Sequence, residues 1–240
     1  MNELAAYLNG EWIPNSEVKI HATDRGFLVG DTVFDVARTF NGKSFRMKEH
    51  VARLYRSLQY ARIAPSIDKD QMLTISEDAI KRNEPVRHKY GDFTIHQFVT
   101  RGPKPPSGVK ECPTVGVRLA PVEFNKYAPS YATGVHGVIA KTRSYSPESL
   151  DPKIKHYSRM NFNLAQMEAT DVDPESLPLL LDLDGNISES TGANFFIVSD
   201  ERLLVPKTES TLQGVSRLTI SELAESLGIP VVETNIQPYD

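Results

Sequence analysis

The stretch LDLDGNISESTGANFFIV, residues 181–198, governs the reading of the second half of the chain. Asp184-Gly185 between apolar runs is a strong hairpin signal, because a two-residue turn needs positive φ and this pair tolerates it. The returning segment opens on Glu189 and the small residues Ser190, Thr191, Gly192 and Ala193, then Asn194 leads into Phe195-Phe196-Ile197-Val198. A carboxylate at the mouth of a strand can hold a protonated ring nitrogen, and small residues beside it let a flat ligand approach the backbone. The same residues also suit a surface glutamate that follows a hairpin.

The wider sequence narrows the setting. With 240 residues, 40% hydrophobic and 24% charged, the chain has an ordinary soluble composition and room for one large domain or two small ones. A net charge of −4 gives no nucleic-acid footprint. Cys112 is the only cysteine, which excludes an intramolecular disulfide and a thiolate zinc cluster and fits a reducing cytoplasm. No apolar run reaches the ~18–20 residues of a membrane span, and MNELAAYLNGEW lacks the layout of a signal peptide. A cytoplasmic protein without membrane or nucleic-acid partners is expected.

Periodicity predicts a hairpin over 5–20 around Asn9-Gly10, a strand over 32–41, and helices over 48–63 and 68–83. The first helix would turn Val51, Leu54, Leu58 and Ala61 inward, the second Met72, Leu73, Ile75 and Ile80. Strands over 92–100 and 114–120 follow, and PVEFNKYAPS, 121–130, reads as a linker. Residues 1–120 would form a small α+β domain and 131–240 a larger one, with strands over 134–141, 177–183 and 195–198 and helices over 160–169 and 216–227. Strands and helices mix without a clean βαβ rhythm, which favours an α+β architecture.

P-loop, dinucleotide, zincin and hydrolase motifs are missing, and the histidines show no i,i+4 metal spacing. Three features join Glu189. In TLQGVSRLTISELAESLG, a glycine precedes a helix whose first turn holds Val215, Ser216 and Arg217, either an anion site or a serine cap. Arg53 in EHVARLYRSL can grip a phosphate bidentately or pair with Glu49 one turn away. In DPKIKHYSRMNFNLAQMEA, an extended segment puts Lys153, Lys155 and Tyr157 on one face, where a lysine is either solvated or a nucleophile toward carbonyls.

Together these stretches resemble the class IV, fold-type IV pyridoxal-phosphate aminotransferases, most specifically in ESTGANFF and LQGVSR. That group holds branched-chain aminotransferases, D-amino-acid aminotransferases, (R)-selective amine transaminases and aminodeoxychorismate lyases. The resemblance implies a two-domain, D-amino-acid-aminotransferase-like α+β fold, with the C-terminal end of the large domain missing. It implies pyridoxal 5′-phosphate as cofactor, Lys155 as the catalytic amine, Glu189 under the pyridine nitrogen, and Arg53, Leu212, Val215 and Ser216 around the phosphate. Thr191 and Gly192 would let the ring dock, while Phe34, Val36, Arg38 and Arg101 would face substrate. The implied activity is transfer of an amino group between a hydrophobic or branched-chain amino acid, or a small amine, and a 2-keto acid, in a homodimer. A D-amino-acid aminotransferase, an aminodeoxychorismate-type lyase and a shortened, non-catalytic binding protein are the alternatives. Met160 departs from the branched-chain pattern, which carries tyrosine five residues after the lysine; Tyr157 is the remaining candidate to face the cofactor's phenolic oxygen.

Overall fold

The structure is a computed structural model that describes residues 3–207 and 209–240. Its chain divides into two compact units, one running to Phe124 and taking in Lys155–Ser158, the other comprising Asn125–Ile154 and Arg159–Asp240. The sequence boundaries put Lys155 in the second domain, whereas the four residues from Lys155 pack with the first unit.

In the first unit, β1 (Ala5–Leu8) and β2 (Glu11–Pro14) pair about Asn9-Gly10, both at positive φ. A short helix α1 (Arg25–Val29) precedes β3 (Thr32–Phe40), which turns into the brief β4 (Lys43–Ser44). Helices α2 (Met47–Ala61) and α3 (Lys69–Asn83) follow, α3 opened by a capping box between Asp68 and Gln71. A single turn, α4 (Arg87–Tyr90), leads to β5 (Phe93–Thr100) and β6 (Val115–Pro121). The strands form an antiparallel sheet in the order β2-β1-β6-β5-β3-β4.

Side chains alternate across this sheet. Val33, Ala37, Ile95, Val99, Val117 and Leu119 are buried with Val51, Leu54 and Leu58 of α2 and Met72, Ala79 and Ile80 of α3. Each such side chain contributes about 1.5–3 kcal/mol when fully buried. On α3, Leu73 and Ile75 are only partly buried, contrary to the periodic reading; Ser76 and Ala79 take the inner positions. The Ser76 hydroxyl is satisfied within the helix by donating to Met72 O at 2.8 Å, so a small polar residue fits there without an unpaired donor. The opposite sheet face carries Phe34, Val36 and Arg38 of β3, His96 and Phe98 of β5, and Arg118 of β6. Gly116 is required there: a Cβ would meet Phe98 Cζ at 2.1 Å, so only glycine lets that ring lie across β6.

The stretch expected as a linker, 121–130, holds one helical turn, α5 (Phe124–Tyr127), and a second turn, α6 (Ser130–Thr133), begins at its last residue. Next come β7 (Gly137–Ile139), α7 (Met160–Val172) and β8 (Leu177–Leu179), then β9 (Ile197–Ser199), β10 (Arg202–Pro206), α8 (Val215–Ser226) and β11 (Val231–Thr234). Strands β7 and β8 are parallel, as are β10 and β11, so two strand-helix-strand crossovers sit inside an otherwise mixed fold. Strand β10 escapes the sequence reading because its turn from β9 uses Asp200-Glu201, both at positive φ, where Asn-Gly is the usual signal. Among the described residues no helix is long and apolar enough to cross a membrane.

Candidate active site

Lys155 is held by backbone pairing. Phe34 N donates to Lys155 O at 2.9 Å and Tyr157 N to Thr32 O at 3.0 Å, with an antiparallel bridge between Val33 and His156. Residues 155–157 thereby extend the sheet beside the start of β3, and Ser57 of α2 accepts from Lys155 N at 3.2 Å. The extended backbone places Lys155 and Tyr157 on one face, as the sequence alternation anticipates. Tyr157 stacks on Phe34 with centroids 4.1 Å apart, and Lys155 Nζ lies 4.8 Å from the Phe34 ring centroid. Burial is the main cause that pushes the Tyr157 hydroxyl above its ordinary pKa. Val36, half-buried, is paired with His96 on the neighbouring strand.

Arg53 is not the exposed partner of Glu49. It is 5% exposed, and its Nε and Nη2 each donate to Asp35 at 2.8 Å in a bidentate pair. Asp35 also lies 2.7 Å from His50 Nδ1 and accepts from Val36 N at 2.8 Å. Burial opposes the charge on Asp35, but the hydrogen bonds and charges of His50 and Arg53 outweigh it and hold the carboxyl at about 2. Asp35 is thus a positioning residue that the motif reading missed. Its signal was present: a carboxylate inside TVFDVA, on the helix-facing alternation of an apolar strand, has to be paired.

Arg101 and Arg38 are engaged in the fold. The Arg101 guanidinium bonds Asp31 and donates to Ala61 O at 2.7 Å and Arg62 O at 2.9 Å, closing the end of α2. Arg38 Nε donates to Thr39 O at 3.2 Å, and its guanidinium covers the Phe40 ring at 4.0 Å. Neither contact joins these arginines to Lys155.

In the second unit the quoted stretch reverses twice. Asp182 N donates to Asn186 O at 2.8 Å around Asp184-Gly185, then Ser190 N donates to Ala193 O at 3.0 Å, and Glu189 bridges Asn194. The returning segment therefore does not run straight into 195–198; a second tight turn presents Glu189. That carboxylate is 7% exposed and accepts from Leu212 N at 3.3 Å through Oε2. Arg159 donates to Thr191 O, and its guanidinium carbon lies 4.1 Å from the Phe162 ring centroid. Desolvation lowers the Arg159 pKa, while Glu189 and Tyr145 act in the opposite sense, so Glu189 sits in the field of a half-buried cation. Gly192 is exposed, and a Cβ there would meet nothing within 4 Å, so protein packing does not demand the glycine.

The turn into α8 is built around Gly214, its N-cap, and no side chain caps it; Ser216 is inside the first turn and exposed. A Cβ on Gly214 would lie 1.9 Å from Asn194 Oδ1, and Asn194 Nδ2 donates to Leu212 O at 3.3 Å. Asn194 thus ties the Glu189 turn to the helix entry, with buried Val215 and exposed Ser216 beside it. An uncapped helix start with its N–H groups and a hydroxyl suits an anion such as phosphate.

The family profile described as Amino-transferase class IV matches residues 32–240, and the chain belongs to that family. A putative branched-chain-amino-acid aminotransferase of Methanocaldococcus jannaschii is 30% identical, over 98% of this chain and 79% of the relative. A probable branched-chain-amino-acid aminotransferase of Rickettsia bellii is 28% identical, over 96% and 78%. The crystal structure of the Escherichia coli branched-chain amino acid aminotransferase superposes with a TM-score of 0.88 at 26% identity, over 98% of this chain and 78% of that one. Membership makes the chain a pyridoxal-phosphate-dependent transferase of amino groups, acting on amino-acid and keto-acid substrates. The residues present fit that cofactor chemically: an amine for its aldehyde, a buried carboxylate for its ring nitrogen and an uncapped helix start for its phosphate.

Proposed function

We propose that the protein transfers the amino group between a hydrophobic or branched-chain amino acid, or a small amine, and a 2-keto acid. The observation that carries the substrate preference is the surround of Lys155: the Phe34 and Tyr157 rings, stacked at 4.1 Å, with Val36 next along β3. Such a wall favours apolar side chains. Branched-chain relatives support the same reading.

In this reading Arg53, Leu212, Val215 and Ser216 hold the cofactor phosphate, Glu189 faces the ring nitrogen, and Thr191 and Gly192 leave the ring room. Bound cofactor supplies an aldehyde for the amine and a protonated ring that stabilises negative charge at the substrate Cα. With the cofactor bound, Lys155 Nζ would take the substrate Cα proton and return it, serving as general base and then general acid. Asp35 keeps the Arg53 guanidinium fixed in plane, so the phosphate meets a pre-oriented cation. Tyr157, on the face of Lys155, is the group assigned to the cofactor's phenolic oxygen, since Met160 is 78% exposed and offers no hydroxyl. The subunit arrangement proposed is a homodimer in the cytoplasm.

The test is a panel of amino donors and keto acids on cofactor-loaded protein. Borohydride should fix the cofactor to Lys155, located by peptide mapping. Preference for acidic or strongly polar donors over leucine- and valine-like ones would refute the substrate assignment, and a label on Lys153 would refute the catalytic one.

A further inference from the structure

Arg118 stands out on the sheet face that carries Phe34. It is half-buried, directly opposite His96 in the register of β5 and β6, and among the described residues its guanidinium makes no hydrogen bond or ion pair. A half-buried guanidinium is normally met by a carboxylate or by carbonyls, as Arg53 and Arg101 are in this same unit. His96 in turn is opposite Val36, one alternation along β3 from Phe34, and shares its Nε2 with Thr94 Oγ1 at 3.0 Å. Lys155 lies over Phe34 on that face.

The electrostatics agree. Burial is the largest cause that brings the His96 imidazole down to about 4, and the charges of Arg118 and Lys155 push it the same way. No carboxylate acts on His96 in return. Arg118 also acts on the Tyr157 hydroxyl. The charged groups facing His96 are thus Arg118 from β6 and Lys155 from the segment beside β3, both positive. Arg38, farther along β3, is engaged with Thr39 O and the Phe40 ring, and Arg53 is on the helix side of the sheet. Around His96 that face therefore collects positive charge beside an apolar wall, and the carboxylate that shares the face by register, Glu11 of β2, is exposed, two strands from β6, and does not act on His96.

We infer that Arg118, with His96 beside it, forms the seat for a carboxylate of the amino-acid or keto-acid substrate, so that Arg118 is a specificity-determining residue. This rests on the aminotransferase reading for the identity of the ligand, while the anion site itself follows from the first unit alone. A planar carboxylate matches the guanidinium fork in a way that a neutral amine cannot. Substrates that carry a carboxylate are therefore favoured over simple amines.

The experiment uses glutarate, which has no keto or amino group to react, with its neutral diamide as control, on cofactor-loaded protein. Calorimetry should show glutarate binding and no diamide binding. Arg118→Met should weaken glutarate at least tenfold, and Arg118→Lys should restore part of the loss. In the wild type, the His96 ring resonances, assigned through His96→Gln, should shift on adding glutarate and stay put with the diamide; this needs no Arg118 variant to fold. Equal glutarate affinity in Arg118→Met, or His96 resonances indifferent to glutarate, overturns the inference. A protein that binds glutarate through Arg118 yet transfers no amino group leaves the site standing and removes the aminotransferase reading. Transamination with a keto-acid KM unchanged in Arg118→Met removes the site alone.

Discussion

Asp35 in the first unit and Glu189 in the second are both buried carboxylates, and they are held by different means. Asp35 is gripped by side chains: two bonds from Arg53 and a close His50, all anchored on long elements of the sheet and α2. Glu189 is presented by turns, with a backbone donor at Leu212 and cations at Arg159 and Arg217 whose charges reach it. The carboxylate held by an ion pair serves the fold and orients its partner; for the one framed by turns, Glu189, a role toward a ligand is what is proposed.

The largest effect should come from Lys155→Ala. Its backbone bonds to Phe34 and Ser57 do not need the side chain, so the fold should persist. Turnover should fall by more than about a thousandfold, as expected when a general acid–base is removed. Single-turnover reaction with an amino donor measures it.

Exchanging the two carboxylates for neutral residues tests the contrast directly. Asp35→Ala leaves the Arg53 guanidinium buried without its partner and should cost about 3–5 kcal/mol in urea unfolding. Glu189→Gln keeps the shape and should move the unfolding midpoint far less while nearly abolishing turnover. Equal stability losses in the two variants would erase the distinction.

A smaller effect is expected from Gly214→Ala. The φ of −68° suits any residue, so the cost arises from the clash with Asn194 at 1.9 Å, about 1–3 kcal/mol for an overpacked site. Cofactor added at 100-fold its Kd should stabilise the wild type by about 2.7 kcal/mol, and the variant by less, in paired thermal melts.

The pH profile should show the smallest changes, in two windows. An unfolded His96 protonates near 6.5 and the folded one near 4, so the unfolded state binds more protons between them and stability declines as pH falls through that range. Asp35 protonates near 3.8 unfolded and near 2 folded, so its contribution is complete above the former and is lost as pH falls toward the latter. Urea midpoints from pH 7 to 3 would show both, and His96→Gln should remove only the upper decline.

What the sequence disclosed follows the same division. Alternation in TVFDVARTF and the spacing of Val51, Leu54 and Leu58 are periodic signals, and β3 and α2 match them within a residue or two. In the second unit the expected strands over 134–141, 177–183 and 195–198 fall on β7, β8 and β9, each only three residues long, and the helices over 160–169 and 216–227 on α7 and α8. Chemical signals were legible there too: Asp184-Gly185, the run after Glu189, and glycine before α8. Hidden were the second reversal at 190–193, set by a backbone bond from Ser190 to Ala193, and the pairing of Arg53, whose partner is 18 residues away on another element. Arg101 shows the converse, a conspicuous arginine whose donors close a helix end.

The short segment Lys155–Ser158 lies in the first unit although the chain on both sides of it belongs to the second. A gene fragment ending at Phe124 would therefore expose the Thr32–Phe34 backbone as a bare sheet margin, open to pairing with other chains. The same bare margin is a receptor: a synthetic peptide bearing the lysine could dock there as a strand and return the reactive amine from outside the polypeptide.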